Sequence, residues 1–277
     1  MYWQTSRRQI DLSRPLVMGI LNVTPDSFSD GGRYADPEAA LRRAEAMIAE
    51  GADIIDLGGE STRPGSQPVS AETEAERTIP IIEAIVKRFD TPISIDTSKS
   101  EVAGRAVDAG AEIINDISGL RFDANIARAA AGRNAGLILM HSRGEFGAMH
   151  SQPAVADIVA EVTAGLRRSV ETARSAGVAD DTIVLDIGIG FGKTLGQNLE
   201  LIAKLDRLVS EFEPYPILVG TSRKSFIGKT LDDAPPTERL GGSIASALAA
   251  IVNGASVVRV HDVRETVGAI KIAAAIA

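Results

Sequence analysis

The sequence predicts an α/β chain folded as one (β/α)8 TIM barrel, a single domain over residues 1–277. Three observations carry that expectation. Short apolar runs recur along the chain, and each ends in a polar residue. Amphipathic segments of helical spacing lie between them, an alternation that makes parallel βαβ units. The runs number about eight, the count of an α/β barrel, in which strand interiors are apolar and chemistry sits where strands end. An open doubly wound sheet is the alternative, but no Gly-x-Gly-x-x-Gly follows the first run to support it. No linker or composition shift divides the chain.

Taken in order, Leu16–Leu21 ends at Asn22, and Ile54-Ile55 leads to Asp56. Ile93-Ser94-Ile95 ends at Asp96, Ile113-Ile114 at Asn115, and Leu137–Met140 at His141. Ile183–Leu185 ends at Asp186, Ile217–Val219 leads to Gly220-Thr221-Ser222-Arg223-Lys224, and Val257-Val258 leads to Arg259 and His261. The first helix is expected over Pro37–Glu50, with Ala40, Leu41, Ala44, Met47 and Ile48 on one face and Asp36 as its cap before Pro37. Further helices are expected over Ser70–Phe89, Ser100–Asp108, Asp123–Ala131, Val155–Ser175, Gln197–Val209, Leu240–Asn253 and Arg264–Ile276. Gly51, Gly110 and Gly254 each follow a helix within similar phrases, where glycine serves as a C′ residue before a strand.

Composition narrows the function. Hydrophobic residues are 44% of the chain and aromatics only 4%, so the core is built from Ala, Ile, Leu and Val. The net charge of −8 argues against a general nucleic-acid binder. An anionic ligand would need a local basic pocket. There are no cysteines, hence no disulfide framework or thiolate chemistry, which is compatible with a cytoplasmic protein. No apolar stretch is long enough to span a bilayer, and the first residues do not read as a signal peptide.

The strand-end residues carry the chemistry. Asp96, Asn115 and Asp186 would be partly buried and need partners. Capping the following helix is one such role; holding a neutral heterocycle rich in N–H donors is another, since a planar aminopyrimidine edge suits a carboxylate much as a guanidinium does. Three such groups on one barrel face favour the second. The segment from Asn22 to Gly32 reads as a long βα loop in which Phe28 either packs the loop or covers a ligand. Gly58–Ser66, with Arg63, would suit an anion or form an ordinary solvated turn. The turn Gly220–Ser225 opens a helix whose N–H groups, with Lys224, could hold an anion. Arg259 and His261 alternate on the last run and so face one way, as a phosphate clamp; the other reading is an arginine bridging to a barrel carboxylate. His141 reads as a satisfied strand-end residue, and His150 as solvated. No His or Cys cluster suggests a metal centre; any metal would be a hard ion such as Mg2+, held by Asn22 and a ligand's phosphates.

Long motifs also resemble a known family. Met18–Gly32 (MGILNVTPDSFSDGG) and Gly51–Gly65 (GADIIDLGGESTRPG) resemble the two signatures of the dihydropteroate synthase family. Ile93–Thr97, Ile114–Ile117, Leu139–His141, Leu185–Lys193, Gly220–Ser225 and Arg259–Asp262 follow in that family's order. One departure stands after His141, where Ser142–Gly147 replaces a Gly-x-Pro phrase.

The resemblance implies a transferase of folate biosynthesis. It would join 6-hydroxymethyl-7,8-dihydropterin diphosphate to 4-aminobenzoate, giving 7,8-dihydropteroate and diphosphate. It would place the pterin on Asp96, Asn115, Asp186 and Lys224, beside Met140 and supported by Asp56. Diphosphate would lie against Thr62, Arg63, Arg259 and His261, with Mg2+ at Asn22. Aminobenzoate would sit among Phe28, Thr62, Arg63, Pro64, Phe191 and Ser222. Arg63, Asp96, Lys224, Arg259 and His261 would carry catalysis, by stabilising charge on the leaving oxygens and, for Asp96, on the methylene carbon. A homodimer, sulfonamide sensitivity and the cytoplasm are implied as well. A pterin-binding methyltransferase-like domain and a non-catalytic pterin-binding paralogue are the rival readings; the two intact loops favour the enzyme.

Overall fold

The computed structural model describes residues 1–24, 37–61, 66–149 and 152–276. Two short strands, β1 (Tyr2–Gln4) and β2 (Gln9–Asp11), pair antiparallel at the start. The eight expected runs form β3 (Leu16–Asn22), β4 (Ile54–Gly58), β5 (Ile93–Asp96), β6 (Ile113–Asp116), β7 (Gly136–Met140), β8 (Ile183–Asp186), β9 (Ile217–Val219) and β10 (Val257–Val260). These close into a parallel barrel in chain order, with β10 returning to β3 through Val257 opposite Leu16 and Arg259 opposite Met18.

Ten helices lie among the described residues: α1 (Pro37–Glu50), α2 (Ala71–Val86), α3 (Ser100–Asp108), α4 (Asn125–Ala131), α5 (Ile158–Ser175), α6 (Leu195–Ala203), α7 (Leu205–Glu211), α8 (Ser225–Thr230), α9 (Leu240–Val252) and α10 (Val263–Ile276). Ser70 caps α2 through Thr73 N–H, and Asp157 caps α5 through Ala160 N–H. Gly51, Gly110 and Gly254 take φ of +100°, +115° and +100°, as expected of C′ residues. The helix expected over Gln197–Val209 is two, broken at Lys204 (φ −109°, ψ 21°) and opened by a Thr194/Gln197 capping box. No described helix is long and apolar enough to cross a membrane.

The barrel interior is layered, and the layers follow from the two-residue repeat of a strand. At the lower end Leu16, Met18, Ile54, Ile113, Ile138, Val184, Leu218 and Val257 form one apolar cluster closed by Trp3. Trp3 is fully buried and its Nε1 donates to Thr182 O at 2.8 Å. The hairpin β1–β2 therefore plugs the bottom of the barrel. Residues of opposite parity, such as Val17, Ile55, Ile114 and Leu185, face outward into the larger core beneath the helices. Two residues beyond the apolar layer, the same inward parity brings up Asp56, Asn115, Met140, Asp186 and Arg259. The polar layer is the next rung of the same ladder.

Candidate active site

Asp56, on β4, is fully buried. Its Oδ2 accepts from Asn115 Nδ2 at 3.1 Å and from Arg259 Nε at 2.6 Å. Arg259 Nη2 reaches across to Asp96 Oδ2 at 2.7 Å. Four of the expected residues, drawn from β4, β5, β6 and β10, thus form one bonded network. Burial lowers the Arg259 pKa, but Asp56 and Asp96 outweigh it and raise the guanidinium above its ordinary range. Burial pushes the Asp96 carboxyl up to about 7, Arg259 opposing and Asp56 adding to the rise. Asp56 Oδ1 is buried with no hydrogen-bond partner among the described residues. Of the two readings of Arg259, the bridge to a barrel carboxylate is formed, and to two of them, because burial of Asp56 and Asp96 requires a cation.

Asp186 sits across the barrel mouth on β8. Its Oδ1 accepts from Gly188 N–H at 2.7 Å, and Oδ2 makes no hydrogen bond among the described residues. Burial raises its pKa, with Lys224 and the Gly188 bond pulling the other way. None of Asp96, Asn115 and Asp186 caps a helix; the N-cap position of α3, for example, is Lys99, with no side-chain cap. Lys224 lies in the turn before α8, yet its side chain leaves the helix end. Its Nζ donates to Ile189 O at 2.5 Å and stands 4.7 Å from the Phe191 ring centre. Burial brings it down to about 8, against the pull of Asp186. The expected anion turn at Gly220–Ser225 is otherwise engaged: Arg223 pairs with Asp262, and Ser222 Oγ accepts from His261 N–H at 3.2 Å.

His261 lies just past the end of β10, and its Nδ1 is 3.0 Å from Ser222 Oγ. Arg259 and His261 therefore engage different partners, since the strand alternation stops at Val260. Met140 and Phe191 join Ile117 and Met149 in a small apolar cluster against which Phe122 and Phe146 pack. That cluster gives the polar layer a flat apolar wall. Asn22 Oδ1 and Asp96 Oδ2 both approach Gly58, at 3.3 and 3.8 Å from where a Cβ would stand. Phe28, Thr62, Arg63, Pro64 and His150 lie outside the described residues.

Several positioning residues escaped the sequence reading. Lys193 is buried, and its Nζ donates to Gly188 O (2.8 Å), Phe191 O (3.1 Å) and His141 O (3.2 Å), tying down the segment that carries Phe191. Gly188 in that segment has φ +65°, and a Cβ there would lie 1.8 Å from His141 O, so no other residue fits. Asp116 accepts from the N–H groups of Ser118 (2.8 Å) and Leu120 (2.6 Å) and shapes the turn after β6. Lys99 bridges Glu60 (2.9 Å) and the fully buried Glu74 (2.6 Å), fixing the near end of the second βα loop. His141 is buried with its ring against Gly165 of α5, and its Nδ1 has no partner among the described residues, contrary to the satisfied histidine expected.

Residues 18–261 match the family described as pterin binding enzyme. Dihydropteroate synthase of Synechocystis is 48% identical over 263 residues, which are 95% of this chain and 90% of that protein. The chain belongs to the dihydropteroate synthase family. Solved structures of family members superpose on nearly the whole chain. That of the Yersinia pestis enzyme with a sulfonamide drug complex gives a TM-score of 0.93 at 43% identity, covering 100% of this chain and 99% of that one. The Xanthomonas albilineans enzyme with 4-aminobenzoic acid gives 0.92 at 41% identity, covering 100% and 98%.

Proposed function

We propose that this mouth joins a dihydropterin to 4-aminobenzoate. The methylene carbon of 6-hydroxymethyl-7,8-dihydropterin diphosphate takes the amine nitrogen, and diphosphate leaves, giving 7,8-dihydropteroate for folate synthesis. The observation that carries the reading is the inward layer of Asp96, Asn115 and Asp186 beside Met140. A pterin ring offers N–H donors along one edge and a flat face. Asp186 Oδ2 and the Asn115 amide suit the edge, and Met140 suits the face. Lys224 spans from Phe191 toward the same ring.

Arg259 and His261 serve the departing diphosphate, with Thr62 and Arg63 from the second loop. Their role is to meet charge as it develops on the leaving oxygens. Arg259 does so by loosening from Asp96, which then faces the methylene carbon. An arylamine is uncharged at neutral pH, so no strong base is required. Phe28, Thr62, Arg63, Pro64, Phe191 and Ser222 surround the aminobenzoate, the site a sulfonamide would occupy.

Among the described residues no His, Cys, Asp or Glu cluster could hold a metal. A single amide oxygen at the barrel mouth fits a hard ion that takes its other ligands from phosphates and water. Asn22 would hold such a Mg2+, which would neutralise charge on the diphosphate. A homodimer is supported by the outer faces of α9 and α10, where Val252, Ile272 and Ile276 are 82%, 65% and 81% exposed. We take residues 1–277 to act as one domain, in the cytoplasm.

The test is an assay of diphosphate release. Release that requires both the pterin diphosphate and 4-aminobenzoate, and that a sulfonamide inhibits competitively, is expected. A chain that binds pterin but releases no diphosphate would instead be a pterin-binding paralogue.

A further inference from the structure

Beside α5 lies a cavity of about 380 Å3. The turn after β6, the turn after β7 and one face of α5 line it, and it opens to solvent where Arg121 and Arg168 are exposed. Its size falls within the range of roughly 300–1,000 Å3 typical of small-molecule sites. The proposed function leaves it unused. It includes Ser142, Arg143 and Gly144, from the segment where this chain departs from the family's Gly-x-Pro phrase.

Three arginines line it in a chain whose net charge is −8, and Glu161 is the one carboxylate among the described lining residues. Arg121 is set by Nη2, which donates to Ser142 Oγ at 3.0 Å and Gly144 O at 2.9 Å. Arg143 is set by Nη1, which donates to Pro153 O and Gly192 O, both at 2.8 Å. Each is thus held in place by neutral oxygens and keeps its remaining N–H groups and its whole charge. The guanidinium of Arg168, on α5, makes no hydrogen bond or ion pair among the described residues, and its backbone carbonyl accepts from Thr172 Oγ1. His141, also in the lining, is 5% exposed and its Nδ1 is unpartnered among the described residues. Burial, with Lys193 and the three arginines, holds its imidazole neutral down to about pH 2. The neutral ring adds no charge of its own to the three guanidiniums, and only Glu161 in the lining opposes them. Fixed forks of this kind recognise planar or tetrahedral oxygens.

We propose that this cavity is a binding site for a small oxyanion, a phosphate or a carboxylate, held by Arg121, Arg143 and Arg168. It is distinct from the diphosphate position at the barrel mouth. Glu161, also in the lining, weakens the attraction.

The chain's own histidines report on it. There are three, and His261 stands at the barrel mouth. In ring-15N-labelled full-length protein, the His141 signal is the one that stays neutral into acid, and His141→Gln confirms the assignment. Titration with inorganic phosphate, and separately with glutarate, should move that signal saturably. A response to phosphate alone or glutarate alone names the class of oxyanion, and either supports the site. Arg168→Gln should weaken the response about tenfold, as for one lost charge-assisted bond. Glu161→Gln should tighten it, and the His261 response to phosphate should be the same in both variants. A His141 signal unmoved by either anion, or a midpoint unchanged by Arg168→Gln, overturns the proposal.

Discussion

Asp186→Asn separates the stability of this barrel from its affinity for a pterin. The substitution keeps one oxygen, which can still accept from Gly188 N–H at 2.7 Å. The segment carrying Phe191 therefore stays in place. What changes is the second position, where an acceptor oxygen becomes an NH2 facing the donors of the ring. Hydrogen bonds to a charged group contribute about 1.5–3 kcal/mol, and an opposed pair of donors adds a desolvation cost. At about 1.4 kcal/mol per tenfold, pterin affinity should fall roughly 10- to 100-fold. Stability should move the other way. Burial raises the Asp186 pKa, so the fold disfavours its charge at neutral pH, and the amide removes that charge. Calorimetric titration with a pterin, run beside thermal unfolding, reads both. Unchanged affinity would mean that the ring lies elsewhere. Lost affinity with an equally large loss of Tm would mean that Asp186 is structural, and the reasoning would fail.

Arg259→Ala should cost about 3–5 kcal/mol in urea unfolding, because it leaves Asp56 and Asp96 buried without their cation; diphosphate affinity and turnover should fall as well. Burial holds Asp96 up to about 7, so the folded chain keeps a proton that the unfolded chain loses from about pH 4, and stability drains as pH rises through that window. Asp96→Asn should thus gain Tm relative to the unaltered chain at pH 8 compared with pH 5, and a flat difference would refute the shift. Trp3→Ala opens a void under the barrel and should cost about 3–5 kcal/mol. Far-UV circular dichroism is the probe, since Trp3 is the sole tryptophan.

The eight barrel strands were legible because each is an apolar run ended by a polar residue. The inward layer was legible for the same reason. Asp56, Asn115 and Asp186 stand two residues beyond Ile54, Ile113 and Val184, so parity alone puts them in the mouth. What parity leaves open is the partner. Arg259 lies 203 residues from Asp56 and 163 from Asp96, and no local pattern joins them. Lys193 binds only backbone carbonyls, which every sequence has everywhere. Lys224 reads as part of a helix-opening anion turn, but packing on Phe191 draws it across the mouth. The β1–β2 hairpin has strands of three residues each, too short for an alternating pattern to register. Arg143 and Arg168 look like ordinary surface arginines until α5 folds over the β7 turn.

Trp3 also bears on how the chain folds as it is made. Its partner carbonyl, Thr182, lies 179 residues downstream. At roughly 5–20 residues per second, the indole waits about 10–40 s for that carbonyl to be synthesised. β3 waits longer still for β10, whose Val257 pairs with Leu16. The first strands therefore spend most of translation as half of a sheet with an open edge and an uncovered aromatic ring, a hazard for association with other nascent chains. Closure is necessarily late and long in range, which slows folding relative to a chain of local contacts.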